Sequence, residues 1–342
     1  MSGGITQLVA IGAQDAYLTG KPEVSFFQST YKRHTNFARV TQRQVIQGNV
    51  GNASMTSIKV EHKGDLLNYM YLTKRNGSTN VAQNIGDTEI DHIDLLIGGQ
   101  VIDSQTNEFI KYIADPYLCS TQQKATYDIT TGTFYPLRFW FCENWSSSLP
   151  LIALQYHDVE IRIYWTTPTP PGSIYEAWGD FTYLDNAERA MFSQPQKVLI
   201  YQTQKQAITS GSTNQNLVFN QPVKFLASNT ATSSTIVAPN TSTLLLQLNG
   251  VDIGEQKQYI PHFTIAPVYY TFPWSFANSN DSFLLPFCLD VSKIQPTGQL
   301  NFSRLDSARL VTNGSFTGTY IYAVSYNVLQ FEKGMAGLLY AN

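Results

Sequence analysis

The sequence predicts an all-β protein built from two tandem copies of one antiparallel β-sandwich. Three observations lead there. The composition is poor in charge and rich in aromatic and small polar residues. Short segments of alternating hydrophobicity recur between Gly and Asn turns. A weak internal repeat also runs through the chain at a spacing of about 150 residues.

Length and composition set the frame. The 342 residues exceed the needs of one sandwich and suit two domains of roughly 150–170 each, large enough to bury a core without covalent staples. Charged residues make up 14 % of the chain, against about 25 % in an average soluble domain. Their place is taken by Ser, Thr, Asn and Gln, and by 5 Trp, 20 Tyr and 19 Phe. Such a surface is suited to meeting other protein. The net charge of −3 excludes wrapping nucleic acid by phosphate neutralisation. Cys119, Cys142 and Cys288 form no CxxC pair and no disulfide ladder, which fits a reducing compartment. The opening MSGGITQLVAIGAQDAYLTG lacks the basic and apolar regions of a secretory signal, and no run of 18 apolar residues occurs. The expectation is a soluble chain made inside the cell. Its seven N-x-[ST] sites, at Asn52, Asn76, Asn144, Asn240, Asn280, Asn301 and Asn313, are then expected to be unmodified.

Along the chain, strands are predicted over 55–62, 67–73, 90–97 and 158–165. In the last, Val159, Ile161, Ile163 and Trp165 alternate with polar neighbours, so one face is buried. Asn76-Gly77, Gly98-Gly99, Asn249-Gly250 and Asn313-Gly314 supply tight turns. Helical signals are short: 105–118, 186–192 and 254–260. The N-terminal run is broken by Gly12 and Gly20, which argues against one continuous helix.

The repeat sets LLIGGQVID (95–103), FIKYIADPY (109–117), PLRFWFC (136–142) and LQYHDVEIRI (154–163) against LQLNGVDIG (246–254), YIPHFTIAP (259–267), FLLPFC (283–288) and SRLDSARLVT (303–312). Each half reads as a strand with a tight turn, a short aromatic segment, an aromatic strand ending at Cys142 or Cys288, and an alternating strand led by Asp158 or Asp306. The spacing is too long for a solenoid unit and suits two domains. They join near 193–197, where Pro195 follows the short helix, giving an arm over 1–22 and domains over 23–194 and 195–342.

Several segments carry a family resemblance. Residues 3–38, GGITQLVAIGAQDAYLTGKPEVSFFQSTYKRHTNFA, resemble the N-terminal signature of the major capsid proteins of nucleocytoplasmic large DNA viruses, the phycodnavirus and iridovirus group. LPLIALQYHDVEIRI (149–163), FNQPVKFLA (219–227), QPTGQLNFSRLDSARL (295–310) and YAVSYNVLQFEKGMAGLLYAN (322–342) are similar to further stretches of that family, in order along the chain. The resemblance implies two eight-stranded jelly rolls, a homotrimer of near-hexagonal outline, and tiling with neighbouring capsomers into an icosahedral virion over an inner lipid membrane. Minor capsid proteins are implied as further partners, with assembly in the host cytoplasm, no cofactor and no direct nucleic-acid contact. Family members are commonly longer, so short outward loops and a low capsomer top are expected here.

Candidate contact residues follow. Leu8, Val9 and Ile11, with Phe26 and Phe27, make the N-terminal arm too apolar for a free tail; by resemblance it faces the virion interior. Lys32 and Arg33, in Tyr31-Lys32-Arg33-His34, form a basic cluster smaller than the 4–8 charges typical of membrane anchors, so an internal or intersubunit salt bridge is the expectation. Met335, Leu338 and Tyr340 make the C-terminus one that docks.

Catalytic patterns are weak. Asp158 and Glu160 share a strand face, but a solvated or interface face explains them. Glu89, Asp91, His92 and Asp94 carry metal-capable groups that strand alternation splits between two faces. No HxH, HExxH, CxxC, GxSxG or GxxxxGK[ST] pattern appears, and His34, His62, His92, His157 and His262 are scattered. A structural subunit is therefore expected, with no enzyme activity. A minor or vertex paralogue and a carbohydrate-binding jelly-roll protein, stacking sugars on Trp145, Trp178 or Trp274, remain the alternatives.

Overall fold

Strand pairing in the computed structural model divides the chain into two sets that share no sheet. The structure describes residues 3–340 apart from 52, 87, 119–131, 167–171, 230–234, 274 and 276–281. Cys119, Trp274, Asn52 and Asn280 thus lie outside the described residues. Contacts separate a small N-terminal unit, Met1–Asn36, from a body, Phe37–Asn342.

The first set comprises β1 (Phe37–Gln44), β2 (Met55–Lys59), β3 (Leu66–Asn76), β4 (Ala82–Gln83), β5 (Ile90–Ile97), β6 (Gln100–Thr106), β7 (Phe134–Pro136), β8 (Leu149–Pro150), β9 (Val159–Trp165) and β10 (Ser173–Leu184). One antiparallel sheet runs β1-β10-β3-β4, with β7 and β8 also on β3; the other runs β2-β9-β5-β6. The second set comprises β11 (Gln196–Ala207), β12 (Asn214–Asn216), β13 (Pro222–Ser228), β14 (Thr243–Leu248), β15 (Val251–Gln258), β16 (Phe283–Pro286), β17 (Leu300–Asn301), β18 (Ala308–Thr312), β19 (Tyr320–Glu332) and β20 (Met335–Leu338). Its sheets run β11-β19-β13-β16, with β17 on β13 and β20 on β19, and β12-β18-β14-β15. The two orders match apart from two short additions, β4 in the first set and β20 in the second. Each set is an eight-stranded jelly roll in which the sixth strand is split into two short pieces, β7 and β8 or β16 and β17, so the all-β double jelly roll expected from the sequence is what the chain forms.

Local chemistry accounts for the pieces. In β9 every second residue is buried, as its alternation requires. Gly98 and Gly99 (φ +58° and +82°) and Asn249 and Gly250 (φ +49° and +78°) turn the equivalent β5–β6 and β14–β15 hairpins. Asp185 accepts from Asn186 N at 2.7 Å and caps a helix over Asn186–Phe192. The rolls even share a defect: the pairing of β3 with β10 skips Asn68, and that of β13 with β19 skips Lys224.

Three local expectations are corrected. Residues 254–258 are strand, and helix begins only at Tyr259–His262, followed by Ile265–Thr271. GEQKQ suits a helix locally, but the hairpin with β14 overrides propensity. Cys142 ends no strand; β7 stops at Pro136 and Trp140–Glu143 is helical. Cys288 likewise lies beyond its strand, since β16 stops at Pro286. Finally, the pairing of β5 with β9 slips between Ile90 and His92, and His92 Nδ1 lies 2.7 Å from an Asp91 carboxylate oxygen. The bulge undoes the alternation that was to keep them apart.

The second roll encloses Val223, Leu226, Leu244, Leu310, Phe316 and Ile321. The first encloses Ile58, Leu67, Ile93, Ile161 and Phe181, and this core continues into the second roll through Ile200, Phe225, Ala227, Leu284, Tyr322 and Val324.

Candidate functional site

The described residues offer no catalytic centre to build from, and the surfaces are where the chain's chemistry lies. Asp158, just before β9, pairs with Lys59 at 2.7 Å and Glu160 on β9 with Arg162 at 3.0 Å, so each carboxylate is tied to its own cation. Glu89 is drawn away from His92 into the core, where it binds Lys74 Nζ at 2.6 Å and accepts from Tyr175 OH at 2.7 Å. Among the described residues no three His, Cys, Asp or Glu side chains gather as a metal site. His157 Nδ1 sits 3.0 Å from Ala336 O and 3.3 Å from Ala336 N, a structural contact between the rolls.

The best-built contact surface joins the two rolls. A helical run through Asn107–Phe109, Ile110–Ala114 and Asp115–Tyr117 follows β6. Thr106 caps its start, accepting from Phe109 N, and Arg138 donates to Ala114 O and Leu118 O at its end. Sequence similarity between the halves did not reveal what this run covers, namely the outer face of the β19-β13 sheet. Phe109 and Tyr322 have ring centroids 5.4 Å apart, and Thr106 Oγ1 lies 3.0 Å from Tyr322 OH. Tyr117 donates to Ser282 Oγ at 2.8 Å, and its ring and that of Phe225 both meet Phe272 edge-on. At the strand edges Thr203 N donates to Asp103 Oδ1 at 2.8 Å, and Gln202 Nε2 donates to Ile102 O. Burial pushes the Asp103 carboxyl up to about 7 despite the hydrogen bonds it accepts from Thr203 N, Gln105 and Ser104 N. Burial likewise lowers Lys224 to about 8, with its Nζ donating to Val291 O at 2.7 Å and stacked over Tyr201. The sequence did carry a signal for this seam. β19 reads YIYAVSYNVLQF and is buried on both faces over the seven residues from Ile321 to Asn327, while its counterpart β10, SIYEAWGDFTYL, alternates from Ile174 to Trp178 and is buried on both faces only from Gly179 to Thr182.

The first roll's equivalent outer face is open. Tyr69, Tyr71, Phe134 and Trp178 are half-buried there, Tyr71 and Phe134 at 4.8 Å between centroids. Arg39 bonds Asp180 at 2.7 Å on the same face, and Arg43 and Arg75 bond Glu176.

The termini carry the predicted contact residues. In the N-terminal unit, helices Gly3–Val9 and Ala16–Thr19 are separate, as Gly12 foretold, and neither buries a residue. Leu8 and Val9 are 75 % exposed and Ile11 68 %; Phe26 and Phe27 are fully open. Lys32 and Arg33 are exposed, and no ion pair joins either to another described residue. Met335 and Leu338 bound β20, which pairs with β19 from Leu329 to Glu332. Asn327 Nδ2 donates to Tyr340 O at 2.9 Å, so the C-terminal segment docks on its own chain with Met335 and Tyr340 exposed. The structure therefore does not bring the arm residues and the C-terminal residues together as one site.

Comparison with known proteins accords with this architecture. A family model described as the major capsid protein N-terminus matches residues 25–169. The major capsid protein of Pyramimonas orientalis virus is 32 % identical, with all of both chains aligned, and that of Paramecium bursaria Chlorella virus 1 is 30 % identical, again over both whole chains. The first alignment spans 396 positions for 342 residues here, so that relative carries insertions. Among solved structures, the chain in the quasi-atomic model of the PBCV-1 capsid superposes with a TM-score of 0.76, at 24 % identity, over 93 % of this chain and all of that one. The Faustovirus major capsid protein gives 0.65 at 11 % identity. With its doubled roll and its whole-length relatives, the chain belongs to the major capsid proteins of large DNA viruses, a family of structural virion proteins rather than enzymes.

Proposed function

We propose that three copies form a capsomer of near-hexagonal outline, and that these capsomers tile an icosahedral shell. The observation that carries this reading is the doubling of one eight-stranded topology within a chain whose two rolls share a buried seam. A rigid pair of like sandwiches gives six like sandwiches in a trimer, which is what a hexagonal tile requires. In this reading the working units are an arm over 1–22 and rolls over 23–194 and 195–342. Leu8, Val9 and Ile11 would meet neighbouring capsomers or minor capsid proteins on the inner side, with Lys32 and Arg33 beside acidic neighbours or the lipid phosphates of an inner membrane. Met335, Leu338 and Tyr340 would sit at an intersubunit border. Assembly would take place in the host cytoplasm, without direct nucleic-acid contact. Mass measurement in solution tests the reading: a particle near three times 38.3 kDa at micromolar protein, with threefold symmetry in negative stain, is expected. A persistent monomer would refute it.

A carbohydrate-binding role draws on one observation, the 82 % exposure of Trp145, a ring free to stack on a sugar. Glycan-array binding that is lost in Trp145→Ala would favour it.

A further inference from the structure

The second roll buries a cation that no carboxylate of the described residues neutralises. Lys224 is 2 % exposed, and its Nζ donates to one acceptor, Val291 O at 2.7 Å. Otherwise it faces aromatic rings, lying 4.7 Å from the centroid of Tyr201 and 5.9 Å from that of Tyr326. A comparison of the two rolls shows what is missing. Lys224 is the residue that the pairing of β13 with β19 skips, and Asn68 is its counterpart between β3 and β10. Beside the first bulge stands Asp180, opposite Tyr69, and Asn68 Nδ2 donates to its carboxylate at 2.7 Å. The register places Val324, opposite Phe225, at the equivalent position of the second roll. A polar residue beside a carboxylate in one roll is therefore a lysine beside a valine in the other.

Lys224 and Val324 line a cavity of about 50 Å³ at the seam, together with Gln105, Arg138, Glu143 and Lys293. The other charges around it are matched: Glu143 binds Arg138 at 3.0 Å, and Lys293 lies 3.9 Å from Asp290. Two polar atoms in this neighbourhood, Gln105 Oε1 and Tyr326 OH, are buried with no partner. Lys293 and Ile294 on the cavity's flank are exposed, which gives solutes a way in.

We infer that this cavity binds a small monovalent anion, a halide such as chloride, which supplies in the second roll the negative charge that Asp180 supplies in the first. A buried charge is costly unless it is paired. Burial pulls the Lys224 ammonium down to about 8 but leaves it protonated at neutral pH, so its need for a counter-charge persists. The volume admits an ion of halide size with one or two waters and excludes a bulky organic acid. With one N–H spent on Val291 O, Lys224 keeps two for the ion, and the Tyr326 hydroxyl is a further donor. Gln105 Oε1 is an acceptor for a water beside it. Arg138 and Glu143 belong to the first roll and Lys224 to the second, so the ion joins the two where they meet.

A halide titration of the full chain tests this. Thermal unfolding is followed at pH 7 and constant ionic strength while sodium gluconate is replaced by sodium bromide. The melting temperature of wild type should rise by about 2 °C and then level off, as a saturable site requires. Lys224→Met nearly keeps the volume and removes the charge, so its melting temperature should not respond to the exchange. Wild-type crystals soaked in bromide, measured at the bromine absorption edge, should show an anomalous peak beside Lys224 Nζ. That second measurement decides the matter even if the variant fails to fold. A wild-type melting temperature indifferent to bromide, a response that Lys224→Met shares in full, or a cavity holding only water in the soaked crystals overturns the inference.

Discussion

Two buried polar side chains show what individual residues contribute. Asp103 is enclosed at the seam, and its folded carboxyl titrates near 7 against an ordinary 3.8. Burial, the largest cause, disfavours the charged form more than Thr203 N, Gln105 and Ser104 N favour it, and nearby Asp94 adds repulsion. The folded state thus holds a proton that the unfolded chain has released between those pH values. Its contribution to stability is present at low pH and falls as pH rises from about 4 to about 7. Asp103→Asn is expected to flatten the difference in melting temperature between pH 5 and pH 8. Asp103→Leu, which leaves Thr203 N without an acceptor, should cost about 1–3 kcal/mol in denaturant titrations. The Lys74–Glu89 pair is buried as well, with side chains only 5 % and 8 % exposed. Lys74→Met alone leaves an uncompensated charge and should cost about 3–5 kcal/mol, while Lys74→Met with Glu89→Leu should recover much of that loss. At this scale the sequence told little. Asp103 and Glu89 looked like any other acidic residues on strands, because their burial is set by chain segments far away in sequence.

At the scale of elements, legibility followed how local the cause was. The alternation of β9, the Asp185-capped helix and the paired-turn residues at Gly98-Gly99 and Asn249-Gly250 are all decided within a few residues, and all were readable. β15 was misread as helix because its state depends on β14 across the hairpin, and Asp91 was misplaced because a bulge leaves no local mark. The seam was missed although β19 signalled it, since a strand apolar on both faces says that it is covered without saying by what. Gly98 illustrates a close approach between elements: at φ +58° a Cβ there would lie 2.4 Å from His157 Nδ1. Gly98→Ala should therefore disturb both the hairpin and the His157–Ala336 contact, lowering the melting temperature by several degrees in a thermal scan. Truncation before Met335 removes β20 and the Asn327–Tyr340 bond, and should destabilise the chain measurably in the same assay.

For the whole molecule, the duplicated topology was the most legible feature, because four weak matches in order constrain a fold more than any one of them does. In the N-terminal unit Leu8, Val9, Ile11, Phe26 and Phe27 are all exposed. Deleting residues 1–20 should leave a folded trimer by mass and circular dichroism while impairing particle assembly in electron micrographs; a truncated chain that fails to fold would remove the arm from the assembly scheme.

The first roll's core runs without a break through the seam into Phe225, Tyr322 and Val324 of the second. Neither half can loosen while the other stays native, so differential scanning calorimetry of the polypeptide should record a single endotherm with equal calorimetric and van't Hoff enthalpies. Heat or force applied anywhere on such a unit is shared by all of it, which makes partial melting of a brick in the wall an unavailable route to failure.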